Sequence, residues 1–305
     1  MRHRCRADSL AAGMTNGHSE YGPLTKVMVQ HARDAFVSDG HIAAQWQRLN
    51  YSAPPDFSLA VDEYDRFLEI IAAAGAEIVF LPRHDSLTLD SIYTRDASVL
   101  GTDGVVLCRM GKPARVAEPC AQEPVLRDQG CSVMGAIAAP GMLEGGDLVW
   151  LDNRTVMVGE GRRTNAEGIH QLGTFLDAAR VELLVVTLPE YSSQHDVLHL
   201  MSLISPIDKD LALVYSALLP SSSRTVLRDR GFRLIDVPDD EFEKMATNVL
   251  ALAPRDCVML DGNSRTRAAL ERAGARVQVY QGAEISVKGG GGPTCLTRPL
   301  ARRTA

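Results

Sequence analysis

One local pattern recurs five times along the chain: a helical stretch, a break, then a β-branched run. The break is Gly75 in "YDRFLEIIAAAGAEIVFLP", Gly130 in "PVLRDQGCSVMGAI", Gly231 in "TVLRDRGFRLIDVP" and Gly274 in "ALERAGARVQVY"; in "FLDAARVELLVVTLP" it falls near Arg180. A glycine just past a helix suits the left-handed C′ position, where a Cβ is penalised. The run that follows has strand composition, and Pro82, Pro189 and Pro238 close three of the runs. The breaks are 43 to 55 residues apart, a period that signals a circular or stacked array of units. Further strand candidates lie between them: "TKVMVQ" from Thr25, "VVLCRM" from Val105, "TVMVG" from Thr155, "LALVYSALL" from Leu211 and "CVML" from Cys257. Five such modules around a centre make a five-fold pseudo-symmetric α/β propeller. A doubly wound α/β sheet alternates helices and strands equally well, and the pattern alone fits both.

The totals narrow the function classes. A chain of 305 residues, 45% hydrophobic and 23% charged, can bury a sizeable core without staples. Its net charge of −6, with no long basic block, disfavours nucleic acid as a partner. No apolar stretch is long enough for a membrane span or a secretory signal. Six cysteines (5, 108, 120, 131, 257 and 295) lack CxxC spacing, which argues against a zinc site or disulfide framework and for reduced thiols in the cytoplasm. We expect a disordered leader over 1–23, a single catalytic domain over 24–300 and a tail over 301–305. The arginines near the two ends, Arg302 included, then read as frayed termini. A homodimer is compatible with the sequence.

The chemically capable residues lie in the connections between units. "SIYTRDASVL" places Arg95 and Asp96 before an apolar run, and "MLEGGDLVWL" places Glu144 and Asp147 around two glycines before another. "GEGRRTNAEG" is an arginine loop that opens a helix, with Thr164 or Asn165 as N-cap. "QHDVLHLMSLISP" embeds His199 between leucines, and "GGGGPTCLTRPL" sets Cys295 behind four glycines that would ordinarily read as linker. Each has a plain reading as well: a turn residue for Asp96, a hairpin turn for EGGD, a surface cation for Arg163, a core histidine for His199. Together they supply a thiol, an imidazole, carboxylates and arginines. A thiolate nucleophile needs a nearby cation or base to lower its pKa. Histidine meets that need and then protonates a leaving amine, while a carboxylate fixes its tautomer. The remaining carboxylates call for a cationic partner, and a guanidinium pairs with carboxylate in bidentate fashion. The electrophile that fits is therefore the central carbon of a guanidinium or amidinium, with arginines left to take a substrate carboxylate.

The order YTRD, EGGD, GRRTN, LHL and GGPTC, from about Leu24 to Leu300, resembles the guanidino-group-modifying superfamily, or penteins. Its members include dimethylarginine dimethylaminohydrolases, arginine and agmatine deiminases and amidinotransferases. The resemblance implies a five-bladed α/β propeller. It implies Cys295 as nucleophile, His199 as general acid and base, Glu144 supporting the histidine, and Asp96 on the guanidinium nitrogens. Arg163 and Arg109 would hold a substrate carboxylate, a role Arg115 can share. Met201 would form an apolar wall and Leu24 a further substrate contact, with Asp147 and Arg95 in supporting places. Met201 stands where deiminases and amidinotransferases carry the aspartate of His-x-Asp, and Thr294 resembles the small residue before the cysteine of dimethylargininases; Arg95 before Asp96 is closer to the deiminase form. The implied reaction is hydrolysis of arginine or an Nω-methylated arginine to citrulline and ammonia or an amine, through a covalent S-alkylthiouronium, with no cofactor or metal. The alternatives are an amidinotransferase, a deiminase of another guanidino compound, or a non-catalytic binding member. The ribosome anti-association factor is a pentein of that last kind, but it lacks the cysteine and histidine. In this reading GGGGPTC is a tight loop that delivers the thiol to the propeller centre, with Pro293 stiffening its last turn.

Overall fold

All five breaks have positive φ in the computed structural model: Gly75 at 84°, Gly130 at 78°, Gly231 and Gly274 at 88°, and Arg180 at 54°. The structure describes residues 19–101, 103–191 and 198–304. Each break reverses the chain from an outer helix into a strand, so the local rule repeated in the sequence becomes a repeated module.

Fifteen strands form five three-stranded sheets among the described residues. β1 (Leu24–Val29) and β2 (Glu77–Phe80) are joined through α1 (Ala32–Phe36), α2 (Asp39–Ala43) and α3 (Phe57–Ala73). The second module is β3 (Ser98–Gly101), β4 (Gly104–Leu107), α4 (Glu118–Asp128) and β5 (Val133–Ala136). The third is β6 (Leu148–Trp150), β7 (Thr155–Glu160), α5 (Ala166–Leu176) and β8 (Glu182–Thr187). The fourth is β9 (Ile204–Asp208), β10 (Leu211–Val214), α6 (Ser221–Asp229) and β11 (Arg233–Asp236), followed by α7 (Asp239–Phe242). The fifth is β12 (Val249–Ala253), β13 (Asp256–Leu260), α8 (Ser264–Arg272) and β14 (Arg276–Tyr280), and β15 (Arg298–Arg302) ends the series.

The sheets are β15-β1-β2, β3-β4-β5, β6-β7-β8, β9-β10-β11 and β12-β13-β14. In each, the first pair is antiparallel and the second parallel. A parallel pair needs a crossover, and the helix supplies it. A doubly wound fold would need one continuous sheet, so the five separate sheets settle the architecture as the α/β propeller. The ring closes when the C-terminal β15 pairs with β1, Met28 opposite Arg298 and Leu24 opposite Arg302.

Hydrophobic burial follows the same symmetry. Five buried clusters lie between neighbouring modules. One joins Val99 and Val106 to Leu148 and Leu172; another joins Met28 and Val79 of the first module to Val105 and Leu126 of the second. No module can bury its apolar faces alone, which is why the array must close. The outer helices contribute one face each: α3 buries Ala60, Tyr64, Phe67, Leu68 and Ile71, at the spacing of a single helical stripe. The first strands of all five sheets are innermost. Leu100 (β3), Trp150 (β6), Ile204 (β9), Val249 (β12) and Leu300 (β15) border two small clefts that share Glu20.

Both chain-end boundaries move. Residues 1–18 of the expected leader lie outside the described residues, but 19–23 are packed: Tyr21 is buried and Glu20 N donates to Trp150 O at 3.3 Å. At the other end, the expected tail is still strand through Arg302. Arg302 is buried, because its guanidinium donates to Ala251 O at 2.8 Å and to Gly22 O. No helix among the described residues is long and apolar enough to cross a membrane.

Candidate active site

Each innermost strand is preceded by a connection, and the five connections converge at one end of the axis. Asp96 precedes β3, Glu144 precedes β6, His199 precedes β9, Asn248 precedes β12 and Cys295 precedes β15. Asp96, His199, Asn248 and Cys295 border a cavity of about 360 Å³, and Glu144 is fully buried behind the histidine.

The glycines before Cys295 are a fitted loop and not a linker. A Cβ on Gly291 would enter the ring of Tyr93, and one on Gly292 would lie 2.5 Å from Asn248. Tyr93 is fixed in turn by donating to Ile285 O at 3.2 Å. With the loop flat against Tyr93 and Asn248, Asn248 Oδ1 accepts from Thr294 N (3.0 Å) and Thr294 Oγ1 (2.8 Å). Asn248 Nδ2 then donates to Cys295 Sγ at 3.4 Å. Five described cysteines are free of disulfides, and Cys295 is the one that borders the cavity.

His199 Nε2 meets Glu144 Oε2 at 2.9 Å. Glu144 Oε1 accepts from Gly111 N (2.8 Å) and Arg163 Nη1 (3.2 Å). The EGGD segment forms a 3₁₀ turn, Gly145–Asp147, and not the hairpin its glycines also suggest. A Cβ on Gly146 would lie 2.7 Å from Asp96 Oδ1 and 2.9 Å from His199 Nδ1, so glycine lets the chain pass between these two side chains. Gly146 N donates to Asp96 Oδ1 at 3.0 Å. The arginine loop divides its work: Asn165 caps α5 by accepting from Gly168 N at 2.9 Å, while Thr164 Oγ1 accepts from Glu144 N at 3.1 Å.

The charges are strongly coupled. Burial alone would push Glu144 up, but the His199 hydrogen bond and charge and the Arg163 charge hold it well below the usual carboxylate range. Burial opposes the charge on His199, yet Asp147, Asp96 and Glu144 raise its pKa to about 9. Burial pushes Asp147 up to about 6; one of its oxygens accepts from Leu200 N at 3.0 Å and so pins the turn that follows His199. Burial, then the Asp96 charge, push the Cys295 thiol above its ordinary value, against the pull of the Asn248, Thr294 and Gly292 hydrogen bonds. The sequence led us to expect a lowered thiol pKa. The imidazole's charge is instead taken up by surrounding carboxylates.

Among the described residues, Asp96, Glu144 and His199 are the group whose ligand atoms lie close enough for a metal, within 4.8 Å of one another. Those atoms already have protein partners. Asp96 Oδ2 accepts from Arg115 Nη1 at 2.6 Å, and Glu144 accepts from Arg163 and His199.

Arg163 borders the cavity as expected, with a side chain 15% exposed. Arg115 borders it too, but its fork faces Glu118, to which Nε and Nη2 each donate at 2.8 Å. It holds Asp96 in place and is not turned toward a ligand. Three expected substrate contacts point elsewhere. Arg109 is exposed, bridges to Leu143 and donates to Gly141 O at 3.2 Å, away from the cavity. Met201 is buried against Ile204 and Leu200, because the 3₁₀ turn at Leu200–Ser202 directs Ser202, not Met201, to the cavity wall. Leu24 sits in the β1 ladder and packs into the core. Arg95, next to Asp96, points along the axis instead and pairs with Glu20 at 2.6 Å.

The sequence reading missed Asn248 and Tyr93. Asn248 carried one signal: it occupies the same place before an apolar strand as Asp96, Glu144 and Cys295, in the one connection that had yielded no candidate.

The family model described as N,N dimethylarginine dimethylhydrolase, eukaryotic, matches residues 37–302. The chain belongs to this family. Among curated relatives, the uncharacterized protein YkgA of Bacillus subtilis is 28% identical over 93% of this chain and 94% of its own length. Two solved structures share the fold. The dimethylarginine dimethylaminohydrolase of Pseudomonas aeruginosa, complexed with citrulline, aligns with a TM-score of 0.73 at 23% identity, covering 92% of this chain and 100% of its own. SxtG, an amidinotransferase of Microseira wollei, aligns with a TM-score of 0.78 at 15% identity over 95% and 98%. This member of the dimethylarginine dimethylhydrolase family is thus a pentein, and the family is one of guanidino-modifying enzymes.

Proposed function

We propose that the protein is a cysteine-dependent hydrolase of arginine or an Nω-methylated arginine, releasing citrulline and ammonia or a methylamine. The observation that carries this reading is the arrangement of Cys295 and Asp96 on one cavity with the His199–Glu144 pair. Asp96 accepts the substrate's guanidinium N–H groups, and Arg163 takes the substrate carboxylate. The incoming cation offsets the charge of Asp96, which together with burial keeps the free thiol protonated. The thiol proton leaves to water and the thiolate attacks the guanidinium carbon. His199, positively charged at neutral pH, gives its proton to the departing nitrogen as the C–N bond breaks. The resulting thiouronium is attacked by water, whose proton returns to His199. Collapse of that adduct releases the ureido product and the thiolate.

The test is a screen of arginine, mono- and dimethylarginine, agmatine and guanidino acids for ureido product, without added amine acceptor. We expect citrulline from arginine or a methylated arginine, and none from Cys295→Ser. No ureido product, with a new guanidino compound and the freed donor amine appearing only when an amine acceptor is supplied, identifies a transferase. Full activity of Cys295→Ser on every substrate overturns the mechanism. Met201 no longer helps choose between arginine and its methylated forms, since it lies outside the cavity.

A further inference from the structure

Beneath the catalytic residues, the propeller axis holds a second polar site. Arg95 N donates to Cys295 O at 3.2 Å, so the two sites share a backbone contact. The Arg95 side chain leaves the catalytic cavity and meets Arg298 and Arg302 around a cleft of about 30 Å³. All three arginines are nine-tenths or more buried. One carboxylate accompanies them: Glu20 accepts from Arg95 Nη2 at 2.6 Å. With the arginines charged, three cations face one anion. Four of their nitrogens, Arg95 Nε and Nη1, Arg298 Nε and Arg302 Nη2, have no hydrogen-bond partner among the described residues. Buried cationic donors without acceptors are costly, and here the three side chains that carry them border one cleft.

We propose that this axial cleft is a binding site for a small oxyanion, the phosphate or carboxylate group of a solute, distinct from the guanidino site. The cleft admits the leading oxygens of such a group, and guanidinium forks match oxyanion geometry. The neighbouring charges agree with an anion's role. Burial, then repulsion from Arg95, pull Arg298 down to about 9, and burial brings Arg302 down to about 10. An anion in the cleft relieves both. The site rests on these side chains alone and stands whether or not the proposed hydrolysis is correct.

The experiment uses the full chain. Melting temperature is measured against inorganic phosphate, acetate and chloride at matched ionic strength, and crystals are grown in selenate for anomalous scattering. We expect a saturable rise with phosphate or acetate beyond that with chloride, as for any ligand that binds the folded state. The more effective of the two identifies the oxyanion class. Arg302→Gln abolishes the saturable component, and a selenium peak appears within hydrogen-bond reach of Arg95 and Arg302. If Arg302→Gln fails to fold, the selenate map decides. Equal, non-saturating responses to all three salts, with only water in the cleft, overturn the proposal.

Discussion

Asn248 Nδ2 donates to Cys295 Sγ at 3.4 Å, while Oδ1 of the same amide accepts two bonds from Thr294. One neutral side chain therefore fixes both the last turn of the glycine loop and the thiol at its end. Asn248→Ala should lower kcat/KM by about 100- to 1,000-fold, the scale seen when a preorganised donor is removed from a reacting centre. Asn248→Asp should go further, because a carboxylate beside Sγ raises the thiol pKa again. Iodoacetamide alkylation of Cys295 across pH reads this directly. A rate–pH curve identical in wild type and Asn248→Asp would rule the contact out.

His199 must be charged to protonate the leaving nitrogen, so activity should fall as pH rises through about 9. Asp147 is the first among the charges that raise His199, ahead of Asp96 and Glu144. Asp147→Asn should move that alkaline limb down by about one unit, a change of about 1.4 kcal/mol in the relative stability of the two protonation states. The kcat–pH profile of the two proteins measures it, and an unmoved limb contradicts the assignment of the limb to His199.

Asp147 also links to stability. Its folded pKa, about 6, lies above the unfolded carboxylate value near 4. The sign for a raised acid is that the stabilisation is fully present below the unfolded pKa and is lost as pH rises through the folded one. Asp147→Asn should therefore gain on wild type in denaturant midpoint between pH 4 and 7. A constant difference across that window would exclude the linkage.

Arg163 and Arg109 separate the two candidate carboxylate grips. Arg163→Ala should raise KM for a substrate with a free carboxylate by about tenfold or more, equal to about 1.4 kcal/mol. Arg109→Ala, which loses only a contact to Gly141 O, should leave KM within about twofold, as surface changes usually do. The reverse order would show that the substrate approaches from the Arg109 side.

The five breaks offer a stability test. Arg180 pays for its left-handed backbone with a Cβ, whereas the other four positions are glycine. Arg180→Gly should stabilise the fold or leave it unchanged, and Gly274→Ala should destabilise it by about 1 kcal/mol. Urea midpoints settle the comparison; a destabilised Arg180→Gly would mean that its side chain holds something the local rule does not capture.

The module was legible in the sequence because it is local. Helix, left-handed break and strand are each set by neighbouring residues, and Gly75, Gly130, Gly231 and Gly274 mark them openly. Asp96, Glu144, His199 and Cys295 were legible for a related reason, since each is a reactive side chain just before an apolar innermost strand. Asn248 and Tyr93 are neutral; the place of Asn248 before an apolar strand is its one local mark, and Tyr93 has none. Their roles come from contacts across 47 residues to Cys295 and 192 residues to Ile285. Arg109, Met201 and Leu24 were misplaced because side-chain direction depends on the bridge, turn or ladder each enters, and a motif does not encode that. Arg302 read as a frayed end until β15 was seen to close the ring against β1. The thiol's raised pKa likewise depends on burial and on Asp96, a carboxylate some 199 positions away. Local propensity thus fixed the repeating unit, and only closure of the ring decided which charges face one another, because burial and charge proximity are properties of the assembled fold.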